Sequence, residues 1–182
     1  MGIYLEEISA KLSDTLVTTK FLEKHQNRKP INRPTWTETY LNIAKELSRR
    51  SCDGQNQHGC VITDLRNTPI GMGFNSFARG LPDDIMPNLR PDKYKLIVHA
   101  ERNALDNCMI SPVMLDGINV YTTGVPCLEC LNNLVNNRCK NIWFIKGGGW
   151  SDPAKIEEES IDFNFLIKKS KINLYSVKFD MV

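Results

Sequence analysis

The 182-residue chain has no apolar run long enough to cross a bilayer. Its opening residues, Met1-Gly2-Ile3-Tyr4-Leu5-Glu6-Glu7, turn acidic at once and lack the apolar stretch of a secretory signal. Charge of one sign is also missing: 23 Lys and Arg face 21 Asp and Glu, a formal net charge of +2. That balance argues against a nucleic-acid-binding face, which draws on clustered basic residues. Small anionic ligands stay open, since one or two arginines suffice for a phosphate. No internal repeat or low-complexity tract is present. Six cysteines occur, but without a secretory signal they point to metal or reduced thiols rather than a disulfide framework. The expectation is a cytoplasmic protein with no membrane and no nucleic-acid partner.

What is present fits one domain with an extension. Residues 3 to 25 read as an amphipathic helix, with Ile3, Leu5, Ile8, Leu12, Leu16 and Phe21 near helical spacing. Gln26 to Pro34 is polar and basic and reads as a linker, so residues 1–32 form an extension and 33–182 the main domain. A second helix starts near Thr35, an N-cap type, and runs to about Arg50. Cys60 to Thr63 reads as a strand, Asp64 to Thr68 as a hairpin turn, and Pro69 to Phe74 as the partner strand. A long loop follows, from Asn75 to about Lys95. Beyond it come a helix from His99, a strand over 118–123, a helix from near Cys127, a strand over 141–145, a helix over about 154–169 and a strand over 172–177. This order, α-α-β-β-α-β-α-β-α-β, predicts an α/β fold: a three-layer α/β/α sandwich around a mixed five-stranded sheet.

One constellation carries chemistry. His99-Ala100-Glu101 is answered by Pro126-Cys127-Leu128-Glu129-Cys130. Zn²⁺ favours thiolate sulfur and imidazole nitrogen in tetrahedral geometry. Two cysteines three apart on the first turn of a helix put both sulfurs on one side, and Pro126 suits a helix start. The positive end of that helix favours the thiolates a metal requires. His99, Cys127 and Cys130 make three ligands and leave one position for water, the mark of a catalytic zinc. Glu101 stands close enough to shuttle protons. A fourth ligand from Cys108 or Cys139 would make a structural site instead. A redox Cys-x-x-Cys would leave His99 and Glu101 without a role.

The His-x-Glu and Pro-Cys-x-x-Cys pair is the signature of zinc nucleobase deaminases. Over about residues 33 to 180 the chain resembles the deoxycytidylate (dCMP) deaminases of the cytidine deaminase superfamily. The resemblance rests on Arg33-Pro34-Thr35-Trp36, Ala44-Lys45-Glu46-Leu47-Ser48-Arg49-Arg50-Ser51 and Gly71-Met72-Gly73-Phe74-Asn75. It continues through His99-Ala100-Glu101-Arg102-Asn103-Ala104 and Gly124-Val125-Pro126-Cys127-Leu128-Glu129-Cys130. It implies a deaminase domain over 33–182 and hydrolysis of dCMP to dUMP and ammonia, the supply of dUMP for thymidylate synthesis. It implies Arg50, beside Ser51, on the 5′-phosphate and Asn75 on the sugar. The backbone at Ala100 and Val125 would read the cytosine edge, and Tyr121 would pack near the site. It also implies a homohexamer activated by dCTP and inhibited by dTTP at a separate site.

The chain departs from the family at that second site. It reads Gly73-Phe74-Asn75-Ser76 where the family has Gly-Tyr-Asn-Gly, and a side chain at Ser76 restricts backbone approach. Arg79 and the pair Asp83-Asp84 are expected there with a triphosphate and its Mg²⁺. His58-Gly59-Cys60 stands where the family commonly has Val-Gly-Ala. Cys60 then reads as a small wall residue of the base pocket and His58 as a strand residue, with Cys52, His58 and Cys60 as a lesser candidate for a second metal. Other readings of the same motifs are deaminases for cytidine, guanine or tRNA adenosine, or a zinc-stabilised binding module.

Overall fold

A computed structural model of the chain describes residues 14–25, 32–147 and 153–178. Two compact units divide it, Met1–Arg33 and Pro34–Val182. The first unit holds helix α1, Asp14–Lys24; the rest of the helix expected over 3–25, and most of the linker, lie outside the described residues.

The second unit opens with α2, Trp36–Ser48. Thr35 caps it: its hydroxyl accepts from the Glu38 N–H, and the Glu38 carboxylate accepts from the Thr35 N–H at 2.7 Å. This reciprocal box satisfies two of the N–H groups that a helix start leaves bare. The sheet follows with β1 (Gly59–Asp64) and β2 (Pro69–Phe74), joined through a turn in which Asp64 Oδ1 accepts from the N–H groups of Arg66 and Thr68. Next come α3 (Ala100–Asp106), β5 (Ile118–Thr122), α4 (Leu128–Asn136), β6 (Cys139–Ile145), α5 (Pro153–Ser170) and β7 (Asn173–Val177). The strand order is β2-β1-β5-β6-β7. β1 is antiparallel to both neighbours, and β5, β6 and β7 are parallel. The expected mixed five-stranded sheet is therefore present. No helix among the described residues is long and apolar enough to cross a membrane.

Alternation along the strands sorts the core into two layers. Cys60, Ile62, Ile118, Val120 and Ile142 face α3, α4 and α5. Val61 and Tyr121 face α2, against Tyr40, Leu41 and Ala44. Each large apolar side chain fully buried in this way contributes about 1.5–3 kcal/mol. Two glycines let the helices come close. A Cβ on Gly59 would stand 1.9 Å from the Ala44 carbonyl oxygen of α2, and one on Gly73 would stand 2.4 Å from the Ala104 nitrogen of α3. On the α2 face a row of rings crosses the sheet: Tyr40, Tyr121, Trp143 and Tyr175, with successive centroids 5.0, 4.8 and 5.1 Å apart.

The stretch expected as one long loop is more ordered than that. Ser76–Phe77 (β3) pairs with Ile97–Val98 (β4) in a two-stranded sheet, and Asp92–Lys95 forms a 3₁₀ turn. Two residues per strand carry no periodicity for a sequence reading to detect. The turn delivers the Lys93 ammonium to the Asp53 carboxylate, and both side chains are nearly inaccessible, at 3% and 4% exposure. Asp53 also accepts from the N–H groups of Gln55 and Asn56 and from the Asn75 amide.

Burial alone would raise the Asp53 carboxyl, but Lys93 and the two N–H groups more than offset it, so it titrates below its ordinary value. The stability this provides is full above about pH 4, where the unfolded carboxyl is ionised. It is lost as pH falls through the lower native value. Lys93→Met strands a buried carboxylate and is expected to cost about 3–5 kcal/mol at neutral pH. Urea unfolding across pH checks this: the gap from wild type should close in acid, as Asp53 takes up a proton.

Candidate metal centre and catalytic site

Two helix starts meet above the sheet. His99 is the N-cap of α3 and Cys127 the N-cap of α4, both in extended backbone conformation. Cys130 follows in the first turn of α4, and its N–H points to the Cys127 sulfur at 3.5 Å. His99 Nδ1 lies 3.4 Å from Cys127 Sγ and 3.4 Å from Cys130 Sγ. Ligands at tetrahedral zinc distances stand roughly 3.6 Å apart for N and S, so the spacing suits one ion. Among the described residues these three form the one group of His, Cys, Asp or Glu close enough to hold a metal, with ligand atoms within 4.8 Å of one another.

The charges of the three are interlocked. The neighbouring Cys130 and the His99 ring pull the Cys127 thiol well below its ordinary value, against the opposing effect of burial. That thiolate in turn raises His99 to about 8 and, with burial, pushes Cys130 far upward. The cluster thus carries a negative sulfur neutralised by protons that a divalent cation would displace. A nitrogen and two sulfurs at this separation are a donor set for zinc.

Glu101 lies on the first turn of α3, 7% exposed. Burial raises its carboxyl above the ordinary value, although the neighbouring His99 pulls the other way. A carboxyl so placed can serve as both proton acceptor and proton donor. Cys60 and Thr122 sit opposite each other on β1 and β5, on the face beneath α3. The Thr122 hydroxyl is buried without a hydrogen-bond partner.

The other expected residues divide. Ala100 is buried at the start of α3, and Val125 is half-buried in the loop before Pro126. Arg50 follows α2, exposed, with no ion pair among the described residues. The Ser51 hydroxyl donates to the Asn75 carbonyl at 2.8 Å and accepts from the Asp53 N–H. Asn75 is buried, its amide hydrogens spent on Asp53 Oδ2 and the Asn56 carbonyl, and its Oδ1 accepts from the His58 N–H at 2.7 Å. Tyr121 is a correction. It points to the opposite face, stacked on Trp143 and tilted against Tyr40, and belongs to the α2 core rather than to a substrate pocket.

The fourth-ligand alternatives also fall away. Cys139 lies in the core of β6, and Cys108 donates to the Ala104 carbonyl. Cys52, His58 and Cys60 do not converge as a second metal group among the described residues. Around the loop, Asn103 donates to the Phe74 carbonyl and to Ser76 Oγ, and Arg79 donates to Asn107 Oδ1. Asp83 and Asp84 are exposed and join no metal-holding group among the described residues, so nothing supports Mg²⁺.

Sequence reasoning missed Asp53, Lys93 and Thr123 as parts of this end of the sheet. Asp53-Gly54 reads locally as a turn, and nothing near Lys93 marks it for burial. Thr123 Oγ1 accepts from the Gly59 N–H and lies 3.2 Å from His58 Nδ1.

Comparison with known proteins agrees with this geometry. Residues 34–146 match the model of the cytidine and deoxycytidylate deaminase zinc-binding region. A Caenorhabditis elegans protein named "Probable deoxycytidylate deaminase" is 36% identical over 150 residues, 80% of this chain and 68% of its own length. The deoxycytidylate deaminase of Mus musculus is 30% identical over 139 residues, 73% of this chain and 74% of its own. Among solved structures, the dCMP deaminase from the cyanophage S-TIM5 in complex with dCMP and dUMP superposes with a TM-score of 0.59. The match is 17% identical and covers 81% of this chain and 100% of the other, a likeness of fold.

Proposed function

Because the chain belongs to the cytidine and deoxycytidylate deaminase family, we propose that it hydrolyses dCMP to dUMP and ammonia at a zinc centre held by His99, Cys127 and Cys130. The observation that carries the reading is the imidazole nitrogen 3.4 Å from both sulfurs, with buried Glu101 two residues further along the same chain. Bound there, zinc would supply a Lewis acid that makes water a nucleophile near neutral pH.

The remaining work falls to the chain. As the water oxygen bonds to C4 of the cytosine, Glu101 takes its proton and passes it to N3. Glu101 then delivers the second proton to the amine as the bond from C4 to nitrogen breaks. Water enters, ammonia leaves and the carboxylate is restored. The peptide groups at Ala100 and Val125 flank the two ligand-bearing helix starts, where they can read the edge of the base. Arg50 offers a guanidinium fork to the 5′-phosphate, and no ion pair with a described residue engages that fork. Asn75 keeps one lone pair on Oδ1 for the sugar.

The reading extends to dUMP as a thymidylate precursor, to a hexamer, and to regulation by dCTP and dTTP. Support for regulation lies in Asn103 and Asn107. They tie the loop bearing Phe74, Ser76 and Arg79 to α3, the helix that carries Glu101. An effector that moved the loop would therefore act on the helix that holds the proton shuttle.

The test is steady-state kinetics with dCMP and deoxycytidine, on wild type and Arg50→Ala. Wild type should release ammonia from dCMP. The variant should raise KM for dCMP by about 10–100-fold, the loss of a charge-assisted contact, and leave deoxycytidine nearly untouched. Equal effects on both substrates would sink the phosphate role, and no ammonia from dCMP would sink the reaction.

A further inference from the structure

His58 precedes β1 and pairs across the sheet with Asn75: its carbonyl accepts from the Asn75 N–H at 3.1 Å, and its N–H donates to Asn75 Oδ1. Alternation puts its side chain on the face of Cys60 and Ile62, the face that carries α3 and α4. The ring is half-buried, and burial favours its neutral form. Thr123 fixes its orientation. The Thr123 hydroxyl oxygen accepts from the Gly59 N–H, and among the described residues the acceptor within reach of its one hydrogen is His58 Nδ1. The neutral ring then carries its proton on Nε2, and no described residue meets that nitrogen.

The Asn75 amide, by contrast, has no donor left. Both hydrogens on Nδ2 are committed, to a carboxylate that Lys93 pins in place and to a backbone carbonyl. A ligand hydroxyl arriving here meets one acceptor, the spare lone pair of Asn75 Oδ1, and one donor, His58 Nε2. A neutral N–H donor suits a hydroxyl rather than a phosphate, which Arg50 is better fitted to hold.

We propose that His58 is a specificity residue of this chain, donating from Nε2 to the 3′-hydroxyl of the nucleotide sugar while Asn75 Oδ1 accepts from the same hydroxyl. The inference rests on the deaminase reading above and assigns the sugar contact within it. Thr123 and the Asp53–Lys93 pair are positioning residues for that contact. No covalent step is involved.

The experiment compares kcat/KM for dCMP and for dideoxycytidine monophosphate, which lacks the 3′-hydroxyl, in wild type, His58→Val and His58→Gln. Bound zinc and thermal midpoint are measured alongside. His58→Val is expected to lower kcat/KM on dCMP about tenfold, the worth of one neutral hydrogen bond. On the dideoxy substrate it should match wild type, with zinc content unchanged. His58→Gln, which keeps an N–H donor, should recover part of the loss on dCMP. Equal losses on both substrates, or no loss on dCMP in either variant, would overturn the contact. A wild-type protein inactive on dCMP would instead overturn the substrate reading, and the sugar contact with it.

Discussion

Glu101→Ala is expected to keep one zinc per chain and to cut turnover of dCMP by about 10⁴-fold, the upper range for a positioned general acid and base. That corresponds to roughly 5.4 kcal/mol of barrier. The size follows from the surroundings. Glu101 is sealed between α3 and the sheet, and the other carboxylate of the motif, Glu129, is exposed. Glu101→Gln, which conserves shape, should lose as much, separating proton transfer from packing. Metal analysis and single-turnover kinetics on the two variants check it; near-normal turnover in either would remove Glu101 from the mechanism.

Cys130→Ala should abolish both metal and turnover. Cys130 is 3% exposed, and the change removes only its sulfur, so the variant loses a ligand at the smallest change in side-chain volume. Two ligands remain, one short of the three that catalytic zinc sites employ. A metal held there would also matter mechanically. His99 begins α3 and the cysteines begin α4, so an ion bound by all three clamps two helix starts together. A ligand that binds only the folded chain stabilises it by about 4.1 kcal/mol at a thousandfold excess over its Kd. A chelator should therefore lower the thermal midpoint of wild type and leave that of Cys130→Ala unmoved. Full turnover by metal-free protein would refute the zinc reading outright.

The cluster of His99, Cys127 and Cys130 is the most legible part of the chain because its pattern is local. A Cys-x-x-Cys at a helix start and a His-x-Glu at another are complete within a few residues, and the structure needed only to bring two short segments together. The sheet was legible for a similar reason: β1, β2, β5 and β6 each carry enough alternation or apolar length to declare themselves. Lys93 was not, since its burial depends on a carboxylate forty positions earlier in the chain. Tyr121 shows a subtler limit. Its strand was correctly placed, but the face it presents depends on register against β1 and β6, and a shift of one residue would have put it on the face of Cys60 and α3. At Asn75, residue type announced hydrogen-bonding capacity. Only the fold shows how much of that capacity is already committed.

The ring row on the α2 face has an optical consequence. Trp143 lies between Tyr121 and Tyr175, one on each neighbouring strand, with centroids 4.8 and 5.1 Å away. At such separations a tyrosine excited by ultraviolet light passes its energy to the indole almost without loss, and the indole's emission then reports whether all three strands are in step. The slip of a single strand by one residue would turn its ring to the opposite side and darken that channel. The parallel half of the sheet thus carries its own fluorescent gauge of alignment, on the side away from the chemistry.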